Sequence, residues 1–377
     1  MVTISDVAKL AGVSLVTVSR VINNADYVSD KTRSNVKKAI AELGYIPSAM
    51  ARGMRLNRTF TFALILPDIT NSFWTTVARG VEDVAQIQDY SILFYNVDED
   101  QKKQKRALET VFSQQVDGVM IAPHDGVTEN LKLLHQRKVP TVILDRKLDQ
   151  DIADWKFDFV RGDSISGAKA LTEHLIKLGH RKIAILSGDV RTSTAKDRVS
   201  GYRMALEGMG ISYDPELVFF GEYRISAGEK LLRALLDKVI EFSAIFAANN
   251  AIGLGVVQEL LHRNIRIPDD VAVVYYDDSS KDGTYFPFFT SIQQYAYEIG
   301  KTAAELLISR INDRELPSRE ITLPSKLIVR YSCGAYQKAT NRPGLRLPIM
   351  GGAELYEESH LIEPFLNGDI REPYANF

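Results

Sequence analysis

Apolar residues recur at helical intervals through the first 45 positions and in short unbroken runs beyond position 60, which divides the chain into a small helical head and a larger α/β body. Ile4, Val7, Ala8 and Ala11 share one face of a first helix, opened by a Thr3/Asp6 capping box and ended by Gly12 in the left-handed conformation. Ser14 caps a second helix. On it Val18 and Val21 point one way, while Leu15, Val16, Ser19 and Arg20 lie within about 140° of one another on the other side. A third helix starts at Ser29, carries Val36, Ile40 and Leu43 as its apolar stripe, and stops at Gly44-Tyr-Ile-Pro47. From residue 60 the pattern changes to strands at 61–66, 91–95, 118–121 and 141–144, alternating with amphipathic helices at 73–87 and 101–114. A second series begins near Arg161, with strands at 182–186, 217–220, 244–247 and 271–274 and helices near 194–209, 227–238 and 251–263. Two such units predict two lobes, with segments after residue 291 returning to both.

The outward face of the second helix carries three uncharged residues and one arginine. A helix facing only water usually shows several charges, whereas one that reads a DNA groove needs short side chains against base edges and one long donor. Charge distribution supports the second reading. Net charge over the 377 residues is only −2, but residues 1–60 hold nine Lys/Arg against four Asp/Glu, so a basic head sits on an acidic body.

Composition is that of a globular protein, 45% hydrophobic and 25% charged, too long for one ordinary core. Cys333 is the only cysteine, which excludes a disulfide framework or multi-thiolate metal site and suggests a reducing cytoplasm. The amino terminus lacks the pattern of a secretory signal, and no run of 18 apolar residues is present. An enzyme finds no support: there is no Gly-x-Gly-x-x-Gly after a strand, no phosphate loop, no Gly-x-Ser-x-Gly elbow and no His-x-x-x-His pair. Neither a metal nor a cofactor is expected.

The amino-terminal segment closely resembles the DNA-binding module of the LacI/GalR family of bacterial transcription regulators, and Ser48-Ala-Met-Ala-Arg-Gly-Met-Arg-Leu56 resembles that family's hinge helix. Pro67-Asp-Ile-Thr-Asn-Ser-Phe-Trp74, Val142-Ile-Leu-Asp-Arg146, Arg198-Val-Ser-Gly-Tyr202, Ala244-Ile-Phe-Ala-Ala-Asn249 and Val274-Tyr-Tyr-Asp-Asp278 resemble its effector domain, itself related to periplasmic sugar-binding proteins. The resemblance covers residues 2 to about 334. It implies an α/β fold in which a three-helix helix-turn-helix head (1–47) and hinge (48–59) precede a two-lobed, periplasmic-binding-protein-like body with two parallel doubly wound sheets. The body would span 60–334, one lobe being 60–160 plus 291–322 and the other 161–290 plus 323–334, with a carboxyl-terminal extension at 335–377.

Carried over residue by residue, DNA contacts fall on Ser14, Leu15, Val16, Thr17, Arg20, Asn23 and Ser29, with Ala51 and Met54 in the hinge. Arg20 would read guanine, Leu15 and Val16 thymine methyls, and the hydroxyl and amide groups would hold phosphates. Effector contacts fall on Phe73, Trp74, His124, Asp145, Arg198, Tyr223, Asn249 and Asp277. Carboxylates, amides and a guanidinium beside aromatic faces suit a carbohydrate, and Trp74 with Tyr223 would also suit a stacked purine. A sugar is favoured. The family places Asn-Asp where Asn249-Asn250 stand, a glycine at Tyr275 and a leucine at Met54, so a rim charge is absent and Tyr275 is expected to reshape the pocket. Asp145 with Arg146 also reads as a surface ion pair, which would leave Asp145 out of the site. The expected partners are double-stranded operator DNA, a small-molecule effector and a second copy of the chain. The rival readings are a purine effector and a sugar-binding protein without a DNA role. The tail keeps no leucine heptad and carries Pro343, Pro348, Pro364 and Pro373, so it predicts a dimer rather than a coiled-coil tetramer.

Overall fold

A computed structural model describes residues 2–23, 25, 27–46, 58–124, 129–148, 153–238, 240–278 and 288–336. Ala51, Met54 and the tail beyond residue 336 lie outside the described residues.

The head is built from α1 (Ile4–Ala11), α2 (Leu15–Ile22) and α3 (Asp30–Leu43). The Thr3 amide donates to Asp6 Oδ2 at 2.9 Å and the Asp6 amide to Thr3 Oγ1 at 3.4 Å, which completes the capping box. Gly12, at φ 64°, turns the chain into α2, whose Thr17 amide is capped by Ser14 Oγ at 3.2 Å. Val7, Ala8, Val18, Val21, Val36 and Ala39 form a separate small core. Burying Val18 and Val21 forces the opposite side of α2 outward.

The body holds two six-stranded sheets of matching order. The first joins β1 (Thr61–Leu66), β2 (Ser91–Asn96), β3 (Gly118–Ile121), β4 (Thr141–Leu144), β5 (Asp158–Gly162) and β11 (Glu320–Leu323) in the order β11-β5-β4-β3-β1-β2. The second joins β6 (Ile183–Ser187), β7 (Val218–Phe220), β8 (Ala244–Ala247), β9 (Ala272–Tyr276), β10 (Thr290–Gln294) and β12 (Ser325–Ile328) in the order β12-β10-β9-β8-β6-β7. Strand for strand, β1 to β5 and β11 correspond to β6 to β10 and β12. The first sheet is parallel throughout. In the second, β12 is antiparallel to β10, because the chain turns directly from β11 into it. Central strands such as β8, and β1 after Thr61, are apolar throughout because helices cover both faces.

The first sheet carries α4 (Ser72–Ile87), α5 (Gln101–Ser113), α6 (Glu129–Gln136) and the returning α11 (Ala296–Asn312), and the second carries α7 (Ser164–Lys177), α8 (Ser193–Gly208), α9 (Ile225–Asp237) and α10 (Asn250–His262). Helices α4 and α11 cross at Gly80 and Gly300. A Cβ on Gly80 would stand 2.1 Å from the Tyr297 carbonyl oxygen, and one on Gly300 1.9 Å from that of Val77.

Two sequence expectations need correction. β10 pairs with β9, so the chain leaves the second lobe at Tyr295 rather than at 291, and β5 places residues to 162 in the first lobe. The run 158–162, Asp-Phe-Val-Arg-Gly, has only two apolar residues, and this hid it as a strand. The lobes are therefore joined at Asp163, Tyr295 and Pro324. Two of these crossings are bonded side by side, the Asp163 amide donating to the Leu323 carbonyl at 2.9 Å.

Candidate functional site

The carboxyl ends of both sheets face a shared cleft, where loop residues are free of ladder hydrogen bonds. Helix α4 starts there with Phe73 and Trp74, whose rings meet edge to face at 4.9 Å. His124 follows β3, Asp145 follows β4, Tyr223 follows β7, Asn249 joins β8 to α10, and Asp277 follows β9, while Arg198 projects from α8. All eight line one cavity of about 120 Å³, four from each lobe.

Arg198 is 3% exposed and donates to the Ala248 carbonyl at 2.5 Å, with its guanidinium 4.0 Å above the Tyr276 ring and 3.9 Å from Asp277 Oδ1. Its Nε has no hydrogen-bond partner, and neither does Oδ1 of the buried Asp145. Burial pushes the Asp145 carboxyl up to about 7 against the pull of Arg198 and Arg146, with the Asp277 and Glu99 carboxylates adding to the rise. Burial also raises Asp277, against Arg198 and a hydrogen bond from Gln294.

Asp145 and Arg146 do not form a surface ion pair. Both are buried, and Arg146 instead donates to Glu99 Oε2 at 2.8 Å and to the Pro123 carbonyl at 2.6 Å. Burial opposes ionisation of Glu99, but the Arg146 charge and hydrogen bonds from Arg146 and His124 hold it at about 2. His124 Nδ1 lies 2.8 Å from Glu99, and its Nε2 lies 3.8 Å from Asp189 of the other lobe. The sequence reading missed Glu99 and Asp189. Both sit in loops after strands, the one available signal, but loop carboxylates are too common for this to single them out.

Two groups of bonds close the lobes on each other. Asn71 Nδ2 donates to Asn250 Oδ1 at 3.0 Å and Asn250 Nδ2 returns the bond to Asn71 Oδ1 at 3.1 Å, a reciprocal amide pair at the starts of α4 and α10. Lys147 reaches Asp197 at 2.7 Å, and its amide donates to Ser193 Oγ at 2.8 Å. Asn249 is occupied as the cap of α10, accepting from the Ile252 amide at 2.9 Å. Tyr223 lies flat on Gly188, with its hydroxyl 3.1 Å from Thr194 Oγ1. Tyr275 does not reshape the cleft, contrary to expectation. It faces a core cluster and packs on Phe289 at 5.2 Å.

On the head, Leu15 and Val16 are 49% and 59% exposed, beside an exposed Arg20. Ser14 and Ser29 cap helices and pair with Thr17 and Thr32, both at 2.9 Å. Asn23 turns back to donate to the Ser19 carbonyl at 2.5 Å. Two apolar side chains and an arginine on an otherwise wetted helix form a surface able to pack on a groove.

A basic helix-turn-helix head on a two-lobed, cleft-bearing body defines a ligand-responsive DNA-binding protein. Profiles described as "Bacterial regulatory proteins, lacI family" and "Periplasmic binding proteins and sugar binding domain of LacI family" match residues 3–48 and 59–331, and the chain belongs to the LacI family. It is 34% identical to the ribose operon repressor of Escherichia coli (strain K12), over 88% of this chain and 100% of that protein. It is similar to the CelR transcriptional regulator in complex with cellobiose, with 33% identity, a TM-score of 0.68, and coverage of 88% and 100%. The lac repressor dimer bound to operator and the anti-inducer ONPF superposes with a TM-score of 0.77 at 26% identity, over 88% and 99%. The protein is a transcriptional regulator with a DNA-binding head and an effector-binding body, and not an enzyme. Among the described residues no helix is long and apolar enough to cross a membrane.

Proposed function

We propose that the protein is a cytoplasmic repressor acting as a homodimer on a pseudo-palindromic operator, released or engaged by a carbohydrate held in the interlobe cleft. One exposed helix contacts too few base pairs for selectivity, and a two-fold dimer doubles the site. Arg20 donates to guanine O6 and N7, Leu15 and Val16 pack on thymine methyls, and Ser14, Thr17, Asn23 and Ser29 hold phosphates. The convergence of eight residues, four from each lobe, on one cleft carries the effector assignment. A carbohydrate is favoured because buried Asp145 and Arg198 offer an acceptor and a donor with no protein partner, beside the Phe73 and Trp74 rings. Two of the relatives above are named for carbohydrates.

The test is calorimetry of the full chain against neutral pentoses, hexoses, disaccharides and nucleobases, followed by fluorescence anisotropy on a DNA fragment selected by the protein. A sugar that binds and changes operator affinity is expected. Binding of a nucleobase in place of every sugar would overturn the carbohydrate assignment.

A further inference from the structure

Around the cleft the carboxylates outnumber the guanidinium groups seven to four, and no lysine lines it among the described residues. Each of the four arginines already faces a carboxylate. Arg146 is held by Glu99 at 2.8 Å and Arg191 by Asp189 at 2.6 Å, while Arg224 lies 3.2 Å from Glu222 and Arg198 3.9 Å from Asp277. Asp98 is paired with Lys103, outside the lining. Asp68 remains as negative charge beyond these pairs.

Helix amino termini are the other means of holding an anion; those of α4, α8 and α10 open near the cleft, and so does that of α9, whose N-cap Arg224 supplies no side-chain cap but faces Glu222. In α4, α10 and α8 the N-cap side chain takes up a first-turn amide. The Phe73 amide donates to Asn71 Oδ1 at 3.0 Å, the Ile252 amide to Asn249 Oδ1 at 2.9 Å, and the Ala195 amide to Thr192 Oγ1 at 3.4 Å.

From this arrangement we infer that the cleft selects an uncharged effector and excludes phosphate esters. A phosphoryl group would bring between one and two further negative charges into a site where, among the described residues, each guanidinium already faces a carboxylate, and its desolvation would be compensated only in part. The inference rests on the reading of the cleft as the effector site, and it narrows that reading from carbohydrates in general to unphosphorylated ones.

Matched pairs test it on the full chain by calorimetry: ribose with ribose 5-phosphate, glucose with glucose 6-phosphate, and adenosine with adenosine monophosphate. Whichever parent binds, its ester should bind at least about a hundredfold more weakly. An ester that binds as tightly as its parent, or more tightly, overturns the inference. A nucleoside bound in place of a sugar, with its monophosphate rejected, would end the carbohydrate reading and leave this one standing. The variant Glu222→Gln separates electrostatics from packing. Freeing Arg224 should move the ester-to-parent affinity ratio toward one, whereas packing damage would weaken both ligands and leave the ratio unchanged. Inorganic phosphate at millimolar concentration provides a check without an organic ligand. Its thermal midpoint should equal that in chloride of the same ionic strength, and a phosphate-specific rise that Arg224→Ala abolishes would refute the exclusion.

Discussion

Asp145 and Asp277 occupy corresponding places, each the first residue after its strand, with φ of 59° and 70°. Aspartate is among the few non-glycine residues that adopt the left-handed conformation readily, and its recurrence here shows that both strands end in the same turn. Asp145 has a pH signature. Its carboxyl is raised from 3.8 to about 7 in the folded chain, so between those values the folded state holds a proton the unfolded state has lost, and stability falls as pH rises. Glu99, held at about 2, is ionised in both states above about pH 5 and contributes no slope there. Asp145→Asn should therefore gain on the wild type between pH 5 and 8, by on the order of 1–4 kcal/mol at the upper end. Thermal denaturation across that range is the measurement, and parallel curves would show that Asp145 does not titrate there. On the head, Arg20→Ala should cost about 1–3 kcal/mol per half-site and relax sequence preference. Anisotropy titrations on selected and random DNA distinguish this from a phosphate contact, which would lose equally on both.

At the scale of elements, the amide pair at the starts of α4 and α10 brings the lobes together at the cleft. The family places an aspartate where Asn250 stands, and an ionised carboxylate would face Asn71 Oδ1 with a second acceptor in place of a donor. Asn71 cannot rotate freely to compensate, because the same oxygen accepts from the Phe73 amide. A carboxylate at the first position of α10 would, however, suit the helix dipole, by about 0.3–1 kcal/mol. Asn250→Asp should thus open the cleft without lowering the thermal midpoint, a combination that simple packing damage would not produce. Trp74 reports the opening. It is 6% exposed and one of two tryptophans, so in a Trp155→Phe background acrylamide quenching follows it alone. Quenching should rise by about twofold or more if the cleft opens to solvent. An unchanged quenching constant would mean that other contacts, such as Lys147 with Asp197, suffice to close the lobes.

For the whole molecule, the chain links the lobes at three crossings, Asp163, Tyr295 and Pro324, and their relative angle is what an effector in the cleft would act on. A ligand held by Arg198 from one lobe and Asp145 from the other fixes their relative angle, and only a ligand that binds one arrangement better can alter operator affinity. Arg198→Ala should retain operator binding in the DNA-competent state, lose ligand affinity by about a hundredfold or more, equivalent to about 2.7 kcal/mol, and lose the ligand response. Calorimetry and anisotropy on the same preparation test this. A variant that still responds at the wild-type ligand concentration would make Arg198 a structural residue.

The sequence by itself determined the head, the two-lobed α/β body and the eight residues lining the cleft. The head and body depend on local rules, since caps and glycines bound helices and apolar periodicity sets faces, whereas the eight residues came from the resemblance to the family. Tertiary structure decided the rest. Whether β10 joined the first or second sheet was settled by its pairing with β9, since its short pattern suits either. Arg146 turned from its neighbour Asp145 to the distant Glu99 because a buried guanidinium needs a carboxylate in hydrogen-bonding reach, and chain folding alone placed one there. Tyr275 went into the core because strand alternation, counted from the observed register, faced it away from the cleft. Contacts between residues 179 positions apart, such as Asn71 with Asn250, have no local signal, because their geometry is fixed by the angle between two separately folded lobes.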